Sequence, residues 1–310
     1  MRPYAILVGL GAVSVVTLAS GCRREVIPDP PAAVSKTGKP TTADLVAYLN
    51  NNARQVQSIK STQLEIQAKQ GNDSIGLQGS LFCQKPRDFR LRATVAGSPA
   101  VDIGSNNQEF WFWISQGKDD DGVARVHYCS YADMAAGKAR MPFPFQPDMI
   151  VAALGMGDYD PQKEYTIRED AKTVSLVEQA VSAQGQPVQK VTQFNKLTVG
   201  PNKPQVIAYY LLDDKGAEIC RASVLDVQMI GTVVVPKHVK LVWRTQQIEM
   251  SMRLFDTEVN KIDAPAAAKL FSRANLSIPA SNLARGGPDT PSGVSQEMSI
   301  QRTRLNAPVK

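Results

Sequence analysis

The chain has 310 residues, of which 43% are hydrophobic, 21% are charged and 6% are aromatic, and its formal net charge is +6. Its lysines and arginines are not interleaved with stacking aromatic residues, which disfavours a nucleic-acid-binding protein, whereas mild basicity suits an anionic lipid surface. Without the terminal segments described below, roughly 240 residues remain, which is enough for one large domain.

Residues 1–21 have the pattern of a secretory signal peptide that ends in a lipobox. Arg2 supplies a positive charge, an apolar run follows over residues 5–18, and small residues precede Cys22. This ending is similar to that of bacterial lipoproteins, in which the cysteine is acylated; the alternative is an ordinary signal or a single anchor helix. We therefore expect Cys22 to carry acyl chains such as palmitate and to anchor the mature chain in a membrane outside the cytoplasm.

The next segment, residues 22–41, contains four prolines and few large apolar residues, and it predicts an extended tether. The folded domain is expected over residues 42–279. It begins with an amphipathic helix over residues 41–59, whose apolar residues recur at helical spacing. Residues 280–310 are rich in glycine and proline and lack an apolar pattern, so this tail is predicted to be disordered.

Short strands dominate the rest of the domain. Residues 77–114 alternate between apolar and polar positions and are divided by tight turns, which predicts an antiparallel meander. Seven further strands are predicted between residues 165 and 259, and a short helix capped by Asp148, over residues 149–154, is apolar nearly all round and must be buried. So few helices cannot cover a large flat sheet. We therefore predict a mainly β (α+β) fold, in which a single curled antiparallel sheet forms an unclosed barrel with a short helical lid.

The cysteines other than Cys22 all lie in predicted strands. Cys83 and Cys129 belong to the same meander, so they are favoured as a pair if one disulfide forms, and Cys220 is then free and buried. None of them has the spacing of zinc ligands.

Signs of catalysis are absent from the sequence. The two histidines, His127 and His238, lie in strand patterns, and no nucleophile elbow, phosphate-binding glycine loop or metal-ligand cluster is found. We expect no enzyme, no catalytic residue, no metal and no cofactor.

Three motifs after the first helix carry a resemblance to a known family. Gly79–Phe82, Lys85–Arg90 and Asn107–Phe112 are similar to a strand, a turn and a second strand of the lipoprotein localisation factors LolA and LolB. The resemblance covers residues 44–114 and implies an unclosed barrel with a helical lid over an apolar cavity that takes the acyl chains of lipoproteins. In the carrier, an arginine before the turn proline ties the lid shut. Lys85 holds that position here, without the forked geometry of arginine, and Arg87 is the alternative latch.

The resemblance implies a lipid-anchored periplasmic protein that binds acyl chains of lipoproteins or other lipids. It would act in lipoprotein sorting and protein transport to the outer membrane, as a carrier or chaperone, with a periplasmic carrier protein as a further partner. Arg23, rather than aspartate, follows Cys22, which favours the periplasmic face of the outer membrane. The rival interpretation is a tethered envelope sensor or scaffold whose core is filled.

The candidate cavity-lining residues are large apolar side chains of the meander and of the buried helix. They are Leu81, Phe89, Leu91, Phe110, Phe112, Trp113, Ile150 and Leu154. Each could equally belong to an ordinary packed core.

Overall fold

The computed structural model describes residues 39–117, 119, 121–139, 147–182, 185–197, 203–273 and 278–285. The signal peptide, Cys22, nearly all of the tether and residues 286–310 of the tail lie outside these ranges. In chain order the elements are α1 (Thr42–Ala53), β1 (Ser58–Gln70), β2 (Asp73–Gln84), β3 (Asp88–Val95), β4 (Ser98–Ser105), β5 (Glu109–Ile114), β6 (Val126–Ser130), α2 (Tyr131–Ala135), α3 (Pro147–Ala153), β7 (Tyr165–Glu169), β8 (Thr173–Val181), β9 (Pro187–Asn195), β10 (Val206–Asp213), β11 (Glu218–Ile230), β12 (Val233–Trp243), β13 (Ile248–Val259), α4 (Ala264–Leu270) and β14 (Ala280–Asn282).

All fourteen strands belong to one sheet, in the order β14-β6-β5-β4-β3-β2-β1-β13-β12-β11-β10-β9-β8-β7. The sheet is not closed, because β14 and β7 are its two edges. The predicted fold class is confirmed: the chain is mainly β, with one unclosed sheet and short helices. We call β2–β6 with β14 the first wing and β7–β12 the second wing; β1 pairs with β13 between them.

Helix α1 packs on the inner face of the second wing. Its N-cap, Thr41, forms a capping box with Asp44, which satisfies two backbone N–H groups at the helix start. Leu45, Val46 and Leu49 then join a buried cluster with three residues of β8 and β9, which are Val174, Leu176 and Phe194. The apolar stripe of α1 therefore covers part of this wing.

The helix prediction over residues 41–59 is wrong at its C-terminal end. Helix α1 ends at Ala53, and Val56 and Ile59 are buried in the main core instead. The backbone N–H groups of Gln57 and Ser58 donate to Asn260 Oδ1, at 2.7 and 3.1 Å. These bonds direct the chain into β1, where burial of apolar side chains continues at a strand period.

The C-terminal segment covers the outer face of the first wing. After α4, the carbonyls of Leu270 and Ser272 accept hydrogen bonds from Arg90 Nη1, at 2.7 and 3.1 Å. Strand β14 then pairs with β6 in parallel, and the Leu283 N–H donates to Tyr128 O. The prediction of disorder from residue 280 onwards is therefore wrong for residues 280–285, and the sheet has one parallel pair.

Arg90 is the buried centre of this outer face. Its side chain is 0% exposed and forms a forked ion pair with Asp102, at 3.0 and 2.7 Å, and its guanidinium lies 5.6 Å from the centre of the Trp111 ring. A buried arginine requires such full pairing, because an unpaired buried charge is strongly destabilising. The sequence pattern placed Arg90 on the polar side of β3 without indicating what covers it.

The pair favoured if a disulfide forms, Cys83 with Cys129, is not bonded, whereas Cys220 is free and buried as expected. Cys83, Cys129 and Cys220 are all free and buried. Cys83 is in β2 and Cys129 in β6, and three strands lie between these two in the sheet, so their backbones are too far apart for a disulfide. Within the described part of the chain, no helix combines the length and the hydropathy needed to cross a bilayer.

Candidate functional site

Most of the predicted cavity-lining residues lie in the packed core. One buried cluster contains seven of the eight, each at most 8% exposed: Leu81, Phe89, Leu91, Phe110, Phe112, Ile150 and Leu154. Ile150 and Leu154 belong to the same helical segment, so α3 contributes its inward-facing side chains to this cluster. These residues hold α3 on the sheet.

Trp113 is separated from the other seven. In the unbroken pairing of β4 with β5, Trp113 lies opposite Asp102 and Trp111 lies opposite Gly104. Alternation therefore places both tryptophans on the outer face, with Arg90, and not with Phe110 and Phe112. The grouping of Trp113 with the cavity residues is wrong for this reason.

An open groove lies on the inner side of the second wing. It has a volume of about 350 Å³ and is bounded by α3, by residues 156–159 and by strands β8–β10. We call it the α3 groove. Its apolar side chains include Met149, Val151, Ala152, Met156, Leu176 and Leu211. None of the eight predicted lining residues is among those that border it.

The composition of the groove wall shows that the sheet is curled. Arg87, from the turn between β2 and β3, borders the groove together with Leu211 of β10. β3 and β10 are six strand positions apart, which in a flat sheet would separate them by about 29 Å. A groove of about 350 Å³ that is bordered by both requires the two wings to approach each other.

The tyrosines of the groove differ in their hydrogen bonding. Tyr159 Oη lies 2.9 Å from Thr192 Oγ1, whereas Tyr165 Oη is buried and has no hydrogen-bond partner among the residues that the structure describes. Burial, and then the negative charges of Glu178 and Asp160, raise the pKa of Tyr165 to about 12. Its hydroxyl is therefore protonated at neutral pH and can donate a hydrogen bond.

Two asparagines of α1 fasten this helix to its surroundings. Asn50 Nδ2 donates to Tyr159 O at 2.6 Å, and the Tyr159 N–H donates to Asn50 Oδ1 at 3.0 Å. Asn52 forms the same kind of reciprocal pair with the backbone of Val234, at 2.9 Å in each direction. Helix α1 is thus tied both to the segment after α3 and to the hairpin between β11 and β12.

Both candidate latch residues contact the covering segments. Lys85 Nζ donates to Ala53 O, at the end of α1, at 2.9 Å and to Asp158 Oδ1 at 2.6 Å. Arg87 pairs with Asp148 in the first turn of α3, with its Nε 3.1 Å from Oδ1. Lys85 therefore bridges α1 and the segment after α3, and Arg87 holds the start of α3.

The histidines lie away from the groove wall. His127 Nε2 is 3.2 Å from Asp119 Oδ1, and the His127 ring stacks on Phe112. His238 Nε2 is 2.7 Å from Ser251 Oγ, and desolvation followed by the charge of Arg253 lowers its pKa. Among the described residues, no group of three His, Cys, Asp or Glu side chains is placed to hold a metal ion.

The sequence analysis missed the polar side of this site. Tyr165, Glu178, Lys190 and Thr192 all border the groove. The signal was present in β9, where Lys190 and Thr192 lie at alternate positions between Val188 and Phe194, so that all four share one face of the strand. Polar side chains at alternate positions of a strand usually face solvent, so the pattern was not informative about a groove.

Comparisons with known proteins bear on the fold. The sequence matches no protein family model and no curated protein. Among solved structures it is similar to a DUF1329 family protein from Desulfovibrio piger, at 9% identity and a TM-score of 0.46 over 75% of this chain and 96% of that chain. An outer membrane lipoprotein-sorting protein domain from Vibrio parahaemolyticus has 8% sequence identity and a TM-score of 0.48, over 73% of this chain and 96% of that chain. A LolA superfamily protein from Nitrosomonas europaea has 8% sequence identity and a TM-score of 0.47, over 76% of this chain and 100% of that chain.

All three of these likenesses have TM-scores below 0.5. These likenesses concern the fold, and nothing about the ligand of this chain follows from them.

Proposed function

We propose that the protein binds an acyl chain of a lipid or lipoprotein in the α3 groove, and that it acts in lipoprotein sorting or transfer at the cell envelope, anchored through Cys22. Binding, and not catalysis, is its role. The observation that carries the proposal is the open groove of about 350 Å³, which has an apolar wall supplied by α3, β8 and β10. Grooves of this size and composition suit small apolar ligands.

Burial of hydrocarbon supplies the affinity. Each methylene removed from water contributes about 0.8 kcal/mol, so eight methylenes contribute about 6 kcal/mol before the entropy of binding is subtracted. An affinity of this order permits both capture from and release to a membrane, because the bilayer offers the same chain a comparable environment.

The contacts of α1 and α3 allow these two helices to act as a lid. Lys85, Arg87, Asn50 and Asn52 hold them by hydrogen bonds and ion pairs, two of which involve exposed carboxylates, Asp158 among them. Water can replace these polar contacts when the lid opens, but the apolar side chains that α1 and α3 bury against the sheet must then be exposed or covered by the ligand. Lid opening would enlarge the groove towards the core for a longer chain.

A groove-filling substitution tests the proposal. Ala152→Phe places a phenyl ring from α3 into the groove, and Ala132→Phe on the exposed face of α2 is the matched control. Full-length protein is titrated with palmitoyl lysophosphatidylcholine, with urea unfolding as the check on folding. We expect at least a tenfold weaker affinity for Ala152→Phe and no change for Ala132→Phe.

A second variant keeps the test informative if Ala152→Phe unfolds. Met149→Arg introduces a charge at a half-buried position of the groove wall and should weaken binding by a similar factor. Absence of binding to the wild type, or equal binding by wild type and both groove variants, contradicts the proposal.

The scaffold alternative is favoured by one specific observation. The inner side chains of the first wing form a filled core, in which Leu81, Phe89 and Phe110 are each at most 1% exposed. A protein that only presents its outer surface to a partner needs a packed core and no ligand-binding groove. Wild-type protein that binds no acyl chain, with intact folding, would favour the scaffold.

A further inference from the structure

The charged residues around the α3 groove are nearly all paired. Asp148 pairs with Arg87 and Asp158 with Lys85, at 3.1 and 2.6 Å. Glu178, on β8, is 2.6 Å from the Nζ of Lys163. Each carboxylate that borders the groove is therefore neutralised by a neighbouring cation.

Lys190 is the exception to this pairing. It borders the groove from β9, its side chain is exposed, and it has no ion-pair partner among the residues that the structure describes. Its register partner Glu178 is held instead by Lys163. The groove consequently carries one surplus positive charge, at its solvent-facing side.

Lys190 and Tyr165 lie in one row across the inner face of the sheet. Tyr165 of β7 is opposite Glu178 of β8, and Glu178 is opposite Lys190 of β9. Two strand spacings, about 10 Å, separate the backbones of Tyr165 and Lys190. A group the size of a phosphate that bridges the ends of these two long side chains would also approach the carboxylate of Glu178, whose charge Lys163 neutralises.

Tyr165 provides the second, independent observation. Its hydroxyl is buried in the groove wall without a hydrogen-bond partner. A buried donor left unsatisfied is unfavourable, and of the six described residues with such a buried side-chain atom Tyr165 is the one that borders the groove. An oxygen acceptor supplied by a ligand would satisfy it.

We infer that the ligand of the α3 groove is an anionic amphiphile, whose phosphate or carboxylate group is bound by Lys190 and Tyr165 while its hydrocarbon chain lies against α3. This inference rests on the proposed function, because it assigns the head group of the same ligand. It places the charged head at the open side of the groove and the chain on the apolar wall. A charge-assisted hydrogen bond from each residue fixes that orientation.

The test compares two lipids that differ in head-group charge. Full-length wild type and variants are titrated at neutral pH with palmitoyl lysophosphatidylglycerol, which is anionic, and palmitoyl lysophosphatidylcholine, which is zwitterionic. Lys190→Met removes the surplus cation, and Lys237→Met removes an exposed lysine of β12 that does not border the groove. Tyr165→Phe removes only the unpartnered hydroxyl.

We expect the wild type to prefer the anionic lipid about three- to tenfold, since the head group is partly exposed to solvent. Lys190→Met should abolish this preference with little change for the zwitterionic lipid, Tyr165→Phe should reduce it, and Lys237→Met should leave it intact. Equal binding of both lipids by the wild type, or equal losses for both lipids in Lys190→Met, overturns the inference but leaves the proposed function standing. If neither lipid binds, the proposed function fails.

Discussion

The two wings of the sheet bury their inner faces in different ways. In the first wing the inner face is filled by large apolar side chains, and the outer face is covered by residues 264–273 and 278–285, the first of which Arg90 anchors. In the second wing α1 covers only the part that contains Val174, Leu176 and Phe194, and the α3 groove remains open beside it. Arg90 is fully paired in the first wing, and among the described residues that have a buried polar atom without a partner, Tyr165 of the second wing is the one that borders the groove. We therefore expect the first wing to supply stability and the second wing to hold the proposed ligand.

The largest expected effect is the loss of Arg90. Arg90→Met leaves Asp102 buried without its partner and releases two carbonyls of the C-terminal segment, so unfolding in urea should require about 3–5 kcal/mol less. Arg92 also contacts Asp102, at 3.4 Å, but its side chain is 46% exposed. Arg92→Met is therefore the control and should cost less than about 1 kcal/mol. Equal losses in the two variants would contradict the structural role of the first wing.

Loss of the contacts between Lys85 and the lid is expected to have the next largest effect on stability. Lys85→Met removes the bridge between Ala53 O and Asp158, which should lower the free energy of unfolding by about 1–2 kcal/mol. Because the lid opens more easily, amide exchange in α1 should accelerate more than in β3. Uniform acceleration across both wings would show that Lys85 does not act on the lid.

A matched pair of tyrosines sharpens the contrast within the groove. Tyr159→Phe removes a hydroxyl that bonds Thr192 Oγ1 and should destabilise the protein by about 1 kcal/mol. Tyr165→Phe removes a hydroxyl that bonds nothing in the described structure, so stability should be unchanged or slightly higher. Urea midpoints distinguish the two outcomes, and a clear loss for Tyr165→Phe would mean that its hydroxyl is satisfied in solution.

The smallest expected effect on stability concerns Asp44, at the start of α1. Hydrogen bonds from the Thr41 side chain and backbone lower the pKa of Asp44 below its ordinary value of 3.8. A depressed carboxyl pKa adds stability above pH 3.8 that is lost as the pH falls through the lower, folded value. The difference in Tm between the wild type and Asp44→Asn should therefore shrink as the pH is lowered below 3.8. A difference that does not change with pH would exclude a contribution from the charge.

The strands were the most predictable part of the molecule. The seven strands predicted between residues 165 and 259 are confirmed as β7–β13, and the unclosed sheet follows from the number of strands and the scarcity of helices. The groove was not predictable, because inward-facing Lys190 and Thr192 have the pattern of solvent-facing residues. The cover over Arg90 also escaped prediction, since the chain that covers it is distant in sequence, at residues 270–273.

The location of a bound chain in a co-crystal structure is the most direct test of the account. A palmitoyl lysophosphatidylglycerol with bromine on its acyl chain gives an anomalous signal that marks the hydrocarbon. The account predicts bromine between α3 and β8–β10, near Ala152 and Leu176, with the phosphate beside Lys190. Bromine among Leu81, Phe89 and Phe110, within an expanded first-wing core, would contradict it.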